Sequence, residues 1–199
     1  MDRLPTLIAL AALAGACDKG PDKAAGEPGS TGRTNGAKVV AKKTNTDAFC
    51  DVHKADDSGP LLQIPPVGEV KVKLAPAGSW TWLNVWATWC HPCVDEMPRI
   101  AKWRDKLNAA GKHVELAFVS VDENDADLAA FKKDHTDAPL SARLADPKIQ
   151  PQWFQELGLD ANPPIPINVF VSPTGHVRCA RAGSVREQDY AAIELLLHE

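Results

Sequence analysis

The chain has 199 residues, 44% of them hydrophobic and 24% charged, which fits one soluble domain with extensions and leaves too little length for two full domains. The 22 basic and 26 acidic side chains give a formal charge of −4 that six histidines do not reverse, so dedicated nucleic-acid binding is disfavoured. The 13 glycines and 16 prolines lack a period, which excludes a collagen-like chain or a repeat array.

Residues 1–16, MDRLPTLIALAALAGA, place one arginine, Arg3, before a short apolar run. At about 12 residues the run is too short to span a bilayer comfortably but suits the apolar region of a secretory signal. Ala14, Gly15 and Ala16 ahead of Cys17 are similar to a bacterial lipoprotein signal, in which the cysteine is lipidated and becomes the mature N-terminus. Leu13 and the opposed charges of Asp2 and Arg3 depart from that pattern, and another exported form or a coincidence in a cytosolic chain are the alternatives. The expectation is an exported lipoprotein on the periplasmic side of a bacterial membrane. Residues 17–38 contain no branched aliphatic or aromatic side chain to offset the entropy of ordering, and read as a flexible tether. Residues 39–199 are then the folded domain, without internal repeats.

Within that domain strands and helices alternate. A weak strand is placed at 39–41. EVKVKL, residues 69–74, alternates with period two, and WTWLNVWA, residues 80–87, reads as a central strand. A helix follows over 90–110 with Gly111 as its stop, then a buried strand over VELAFVSV, residues 114–121. Asn124 or Asp125 caps a helix running to about Lys133, and a short helix is expected over 152–157. INVFV, residues 167–171, and HVRCA, residues 176–180, flank the turn SPTG and read as an antiparallel hairpin. Ser184 and Glu187 have capping-box spacing ahead of a last helix whose Tyr190, Ile193, Leu196 and Leu197 face the sheet. The order predicts an α/β domain, a mixed central sheet with helices on both faces and an N-terminal hairpin extension.

Chemistry concentrates in WATWCHPCVDEMP, residues 86–98, where Cys90 and Cys93 flank His91 and Pro92 at a strand-to-helix turn. That spacing at a helix start brings two sulfurs within disulfide reach, while free N–H groups and the helix dipole stabilise the N-terminal thiolate. A reversible dithiol is the leading reading. A permanently closed structural disulfide is one alternative, and zinc the other, although neither a second Cys-X-X-Cys nor a spaced histidine pair accompanies it. No ATP, nucleotide, flavin or metal signature is found, so no cofactor is expected.

Over residues 60–199 the chain resembles TlpA/ResA-like thioredoxin-fold thiol–disulfide oxidoreductases, related to the AhpC/TSA–Redoxin group, whose active segment reads W-A-x-W-C-x-x-C followed by E-x-P. The resemblance implies a thioredoxin-like fold and thiol chemistry, with Cys90 attacking and Cys93 resolving. The family members are membrane-tethered enzymes of exported compartments, and the resemblance does not name the client; the first hypothesis is a reductant that draws electrons from a membrane donor protein and reduces cysteine pairs of exported clients such as apocytochrome c. A general thiol oxidoreductase or disulfide isomerase, and a non-enzymatic redox-sensing binding lipoprotein, are the alternatives.

Glu96, one helical turn past Cys93, is placed to relay the buried thiol's proton and matches a glutamate the family retains; an ordinary solvated acid is the other reading. Trp89, His91 and Pro92 flank the thiols, and a charged His91 would favour the Cys90 thiolate. Pro98 removes one helical hydrogen bond and should bend the helix. PPIPINVFVSPTG, residues 163–175, matches the family's cis-proline loop; Pro166 fits the cis position best, with Ile165 before it offering backbone to a client. Pro163 and Pro164 compete for that assignment, as does a trans Pro166.

If Cys17 is acylated and Cys90 pairs with Cys93, Cys50 and Cys179 remain, either as a structural disulfide or as two buried thiols. Trp80, Trp82 and Trp86 share one strand parity and belong to the core or partly to a surface near the thiols. Trp103 and Trp153 are read as helix-to-sheet contacts. Asp122 and Glu123 are read as capping or solvated, and the remaining histidines as without a role.

Overall fold

Seven consecutive residues rich in tryptophan and branched side chains, Trp80–Trp86, form the central strand β2, and every one of them is buried. The computed structural model describes residues 46–198. The expected leader, tether, Cys17 and the weak strand at 39–41 lie outside the described residues. The chain runs α1 (Thr46–Phe49), β1 (Val52–His53), β2, α2 (His91–Ala109), β3 (Val114–Ser120), α3 (Asp125–Asp134) and β4 (Ala142–Arg143). It continues through α4 (Gln150–Glu156), β5 (Ile167–Val171), β6 (Val177–Ala182) and α5 (Tyr190–Leu196).

The strands form one mixed sheet in the order β1-β6-β5-β2-β3-β4, flanked by helices as expected. β2 pairs parallel with β3 through Trp80↔Val114 to Trp86↔Ser120, and antiparallel with β5 through Leu83↔Val169. β5 and β6 form the expected hairpin, with Gly175 at φ 91° in the turn, where a side chain would be strained. Trp82 packs at a tilt against Phe170, with ring centroids 4.8 Å apart, and lies 6.5 Å from Trp103, and Trp86 packs edge-on against Phe131. The three strand tryptophans are therefore core residues, 0–7% exposed, with none on a surface by the thiols.

The N-terminal extension ahead of the core is laid along β6. β1 pairs antiparallel with it, and a disulfide joins Cys50 to Cys179 with Cα atoms 5.5 Å apart. Buried Arg178 donates to the carbonyls of Lys54 and Ala55, each at 2.6 Å, and Asp51 Oδ2 accepts from the Ala182 N–H at 2.7 Å. Gly59 sits so close that a Cβ there would fall 2.0 Å from the Val177 carbonyl oxygen.

Several boundaries differ from expectation. Residues 69–74 form no strand; the connection meets the sheet edge at Val67↔Leu144 and Gly68 N–H to Arg143 O, then leaves it, with Val70 and Leu74 exposed. The sheet edge there is β4, a two-residue strand too short to leave a sequence pattern, which pairs only with Val119 and Ser120 of β3. Asn124 caps α3 as expected, its side chain accepting from the Asp127 N–H. The box before α5 is shifted: the Arg186 N–H donates to Asp189 Oδ2 at 2.8 Å, whereas Ser184 Oγ donates to the Pro92 carbonyl at 3.4 Å.

Candidate active site

The site lies at the carboxyl end of β2, where the chain turns sharply into α2. The Cys90 N–H donates to Ala87 O at 3.1 Å, closing that turn, and Cys90 becomes the N-cap of α2. Its carbonyl accepts from the Cys93 and Val94 N–H groups at 3.0 and 3.2 Å. Pro92 occupies the first turn, where its missing N–H costs no helical bond. Pro98 lies inside α2, where its missing N–H does remove one.

Cys90 and Cys93 are joined in a disulfide, with Cα atoms 5.3 Å apart. Cys93 is fully buried and Cys90 is 5% exposed, while Trp89 beside them is 67% exposed and His91 and Pro92 are open to solvent. The peptide bond Ile165–Pro166 is cis, which resolves the choice among the three prolines, and Cys90 Sγ lies 3.7 Å from the Ile165 carbonyl oxygen. The outer sulfur thus faces a backbone acceptor, and an exposed tryptophan stands beside it.

Glu96 is not a solvated acid. It is fully buried, and three N–H groups converge on it from distant parts of the chain. Asn84 Nδ2 on β2 donates to Oε1 at 2.7 Å, Asn168 Nδ2 on β5 to the same oxygen at 3.2 Å, and the Val185 N–H to Oε2 at 2.8 Å. Desolvation outweighs these bonds and nearby Arg99, and pushes the carboxyl up to about 7. Asn168 Oδ1 accepts from Trp82 Nε1 at 2.8 Å and from Asn84 Nδ2 at 3.1 Å, so the tryptophan of the core orients the amide that holds the acid. Asn84 Oδ1, turned away from the carboxylate, has no partner among the described residues.

The sequence singled out Cys90, Cys93, Glu96, Trp89, His91, Pro92, Ile165 and Pro166, and the fold gathers them at one end of the sheet. Cys50 and Cys179 lie apart, on α1's end and β6, and serve the extension. Sequence reasoning missed Asn84 and Asn168, whose only signal was an amide within each otherwise largely apolar strand. Of the two readings given to Asp122, capping or solvated, complete burial excludes the second.

Two sulfurs closed across the first turn of a helix, with little of either exposed, require a surrounding that tolerates both the bonded and the opened pair. One turn further on lies a fully buried carboxyl whose proton burial holds more tightly than usual. Fold and dithiol together make the chain a thioredoxin-fold thiol–disulfide oxidoreductase. The AhpC/TSA family matches it over residues 57–180, and the chain belongs to that family.

Among curated relatives it is similar to the thiol–disulfide oxidoreductase ResA of Oceanobacillus iheyensis, at 26% identity over 146 residues, or 71% of each chain. ResA of Bacillus subtilis is 28% identical over 110 residues, 55% of this chain and 56% of its own. ResA of Bacillus thuringiensis matches at 36% over 58 residues, which is 32% of its length and 29% of this chain. Among solved structures, a thioredoxin-related protein from Neisseria meningitidis serogroup B aligns with a TM-score of 0.47 and 24% identity, over 65% of this chain and 88% of its own.

Proposed function

We propose that this chain is tethered to the exported side of a bacterial membrane and reduces cysteine pairs of exported client proteins. Electrons come from a membrane donor protein, and apocytochrome c is the proposed client class. The observation that carries the reading is the Cys90–Cys93 disulfide at the α2 N-terminus, backed by the buried Glu96.

In the reduced chain the Cys90 thiolate, stabilised by the helix N-terminus, attacks one sulfur of the client disulfide. A Cys90–client bond forms, the client disulfide breaks, and one client sulfur leaves as thiolate. Cys93 then gives its proton to Glu96 and attacks Cys90 Sγ, forming the intramolecular disulfide and releasing the second client thiolate. The client gains two electrons and the chain loses two. The membrane donor reverses the change, and Glu96 returns the proton. The Ile165 carbonyl, beside Cys90 Sγ, offers backbone pairing to an extended client, and exposed Trp89 offers an apolar contact. Lipidation at Cys17 and the 17–38 tether would hold the domain near both donor and client.

The test uses an oxidised peptide carrying Cys-X-X-Cys-His and the reduced full chain. The Cys93→Ser variant is expected to accumulate a mixed disulfide through Cys90, and the Cys90→Ser variant none. Failure of the wild-type chain to reduce the peptide, with no adduct in Cys93→Ser, would contradict the proposal.

A further inference from the structure

Thr88 lies two residues ahead of Cys90, and both its polar hydrogens are directed at one carboxylate. Its N–H donates to Asp122 Oδ1 and Oδ2, each at 3.1 Å, and its hydroxyl donates to Oδ1 at 2.8 Å. Ser120 Oγ donates to Oδ2 at 2.6 Å and accepts from the Asp122 N–H at 3.0 Å, which fixes the carboxylate's direction. Asp122 is 0% exposed. Its hydrogen-bond donors among the described residues are all neutral, the Arg143 cation acts on it only through space, and burying a carboxylate without a charged donor carries a desolvation cost. A cap on the end of β3 does not need that.

The position of Asp122 supplies a reason. It follows β3, which is locked to β2 by the parallel ladder and by one further bond, Val121 N–H to Trp86 O at 2.8 Å. The carboxylate therefore reaches the active-site turn from the end of a strand paired with β2 along its whole length. From Thr88 the turn runs to Cys90, closed by the Cys90 N–H on Ala87 O and met on its far side by the Ile165 carbonyl.

We infer that Asp122 is a positioning residue of the dithiol centre: through Thr88 it holds the 87–90 turn so that Cys90 stays at the α2 N-cap within disulfide reach of Cys93. The inference rests on the thiol-exchange reading above. A fixed turn keeps the two sulfurs together in the dithiol as well as in the disulfide, and the high effective concentration favours bond closure. Loosening the turn makes the pair easier to reduce. Removing the negative charge behind the turn acts in the same direction, because it favours the Cys90 thiolate over the disulfide.

The experiment equilibrates the full chain with dithiothreitol, measures the dithiol–disulfide constant of Cys90/Cys93, and follows thermal melting alongside. Asp122→Asn is isosteric but presents an amide donor to a site that needs acceptors, and is expected to shift the constant toward the dithiol by about tenfold, about 30 mV. Thr88→Val loses only the hydroxyl bond and is expected to shift it about threefold in the same direction. Thr88→Ser restores the wild-type constant. Constants for Asp122→Asn and Thr88→Val within twofold of wild type, or shifted toward the disulfide, overturn the inference even where melting temperature falls, since a mere brace of the fold lowers stability without moving the equilibrium. If Asp122→Asn does not fold, equal constants for Thr88→Val and Thr88→Ser overturn it. A wild-type chain that exchanges no thiols at all overturns the functional reading instead.

Discussion

Glu96 shows how one side chain connects stability to chemistry. Its partners come from sequence separations of 12, 72 and 89 residues, so the fold has to assemble before the acid is held. The unfolded value is 4.5 and the folded one about 7. Between these values the folded chain binds the extra proton, so stability attributable to Glu96 is fully present below pH 4.5 and is lost as the pH rises through 7, by at most about 3 kcal/mol. Urea unfolding of wild type and Glu96→Gln at pH 5 and pH 8 is expected to show wild type losing stability relative to the variant at the higher pH. A difference that stays constant with pH contradicts the placement of that proton. Kinetically, release of a client from Cys90 should gain an inflection near pH 7 in wild type and lose it in Glu96→Gln, read by stopped-flow decay of the mixed disulfide. The i,i+3 spacing from Cys93 made Glu96 visible in the sequence. Its burial was not visible, because it depends on Asn84, Asn168 and Val185 lying against one face of α2.

At the scale of elements, the extension and its disulfide form a brace on β6. The Cys50–Cys179 bond closes a loop of 129 residues, for which chain-entropy arguments give about 4 to 5 kcal/mol before any native-state distortion. The double variant Cys50→Ala/Cys179→Ala is expected to lose roughly 2 to 5 kcal/mol in denaturant unfolding while the Cys90/Cys93 pair still exchanges. Loss of exchange in a folded double variant would show the brace to be part of the site. Gly59→Ala tests the same contact without touching a cysteine. A Cβ 2.0 Å from the Val177 oxygen forces backbone to move, so a loss of at least about 1 kcal/mol is expected, and an unchanged midpoint would contradict the close approach. The central elements were legible because their signals are local: Trp80–Trp86 is apolar throughout, and Asn124 caps α3 with its own side chain. The segment at 69–74 was misread because period-two alternation becomes a strand only where backbone partners line up with it, and the chain pairs with the sheet edge at Val67 and Gly68 and then leaves it. The brief α1 and β1 were missed for the converse reason: their order comes from Phe49 packing on Phe170 and from pairing with β6, more than 120 residues away in sequence.

For the molecule as a whole, the parallel β2–β3 pair sets the carboxyl ends of two central strands side by side, and both the α2 turn and Asp122 start there. The β5–β6 hairpin brings the cis-prolyl carbonyl to the outer sulfur, and α5 follows through the loop that carries Val185 to Glu96. One end of the sheet therefore holds both sulfurs, the buried carboxyl of Glu96 and the Ile165 carbonyl, while the brace runs along the β6 edge. The central claim is that this arrangement makes a reductant. The measurement that tests it most directly is the equilibrium reduction potential of the Cys90/Cys93 pair in the full chain, with Cys50 and Cys179 followed separately by mass. The account predicts a value of about −270 mV or lower, in the range of thioredoxin, and a value near about −120 mV, typical of strong thiol oxidants, would contradict it.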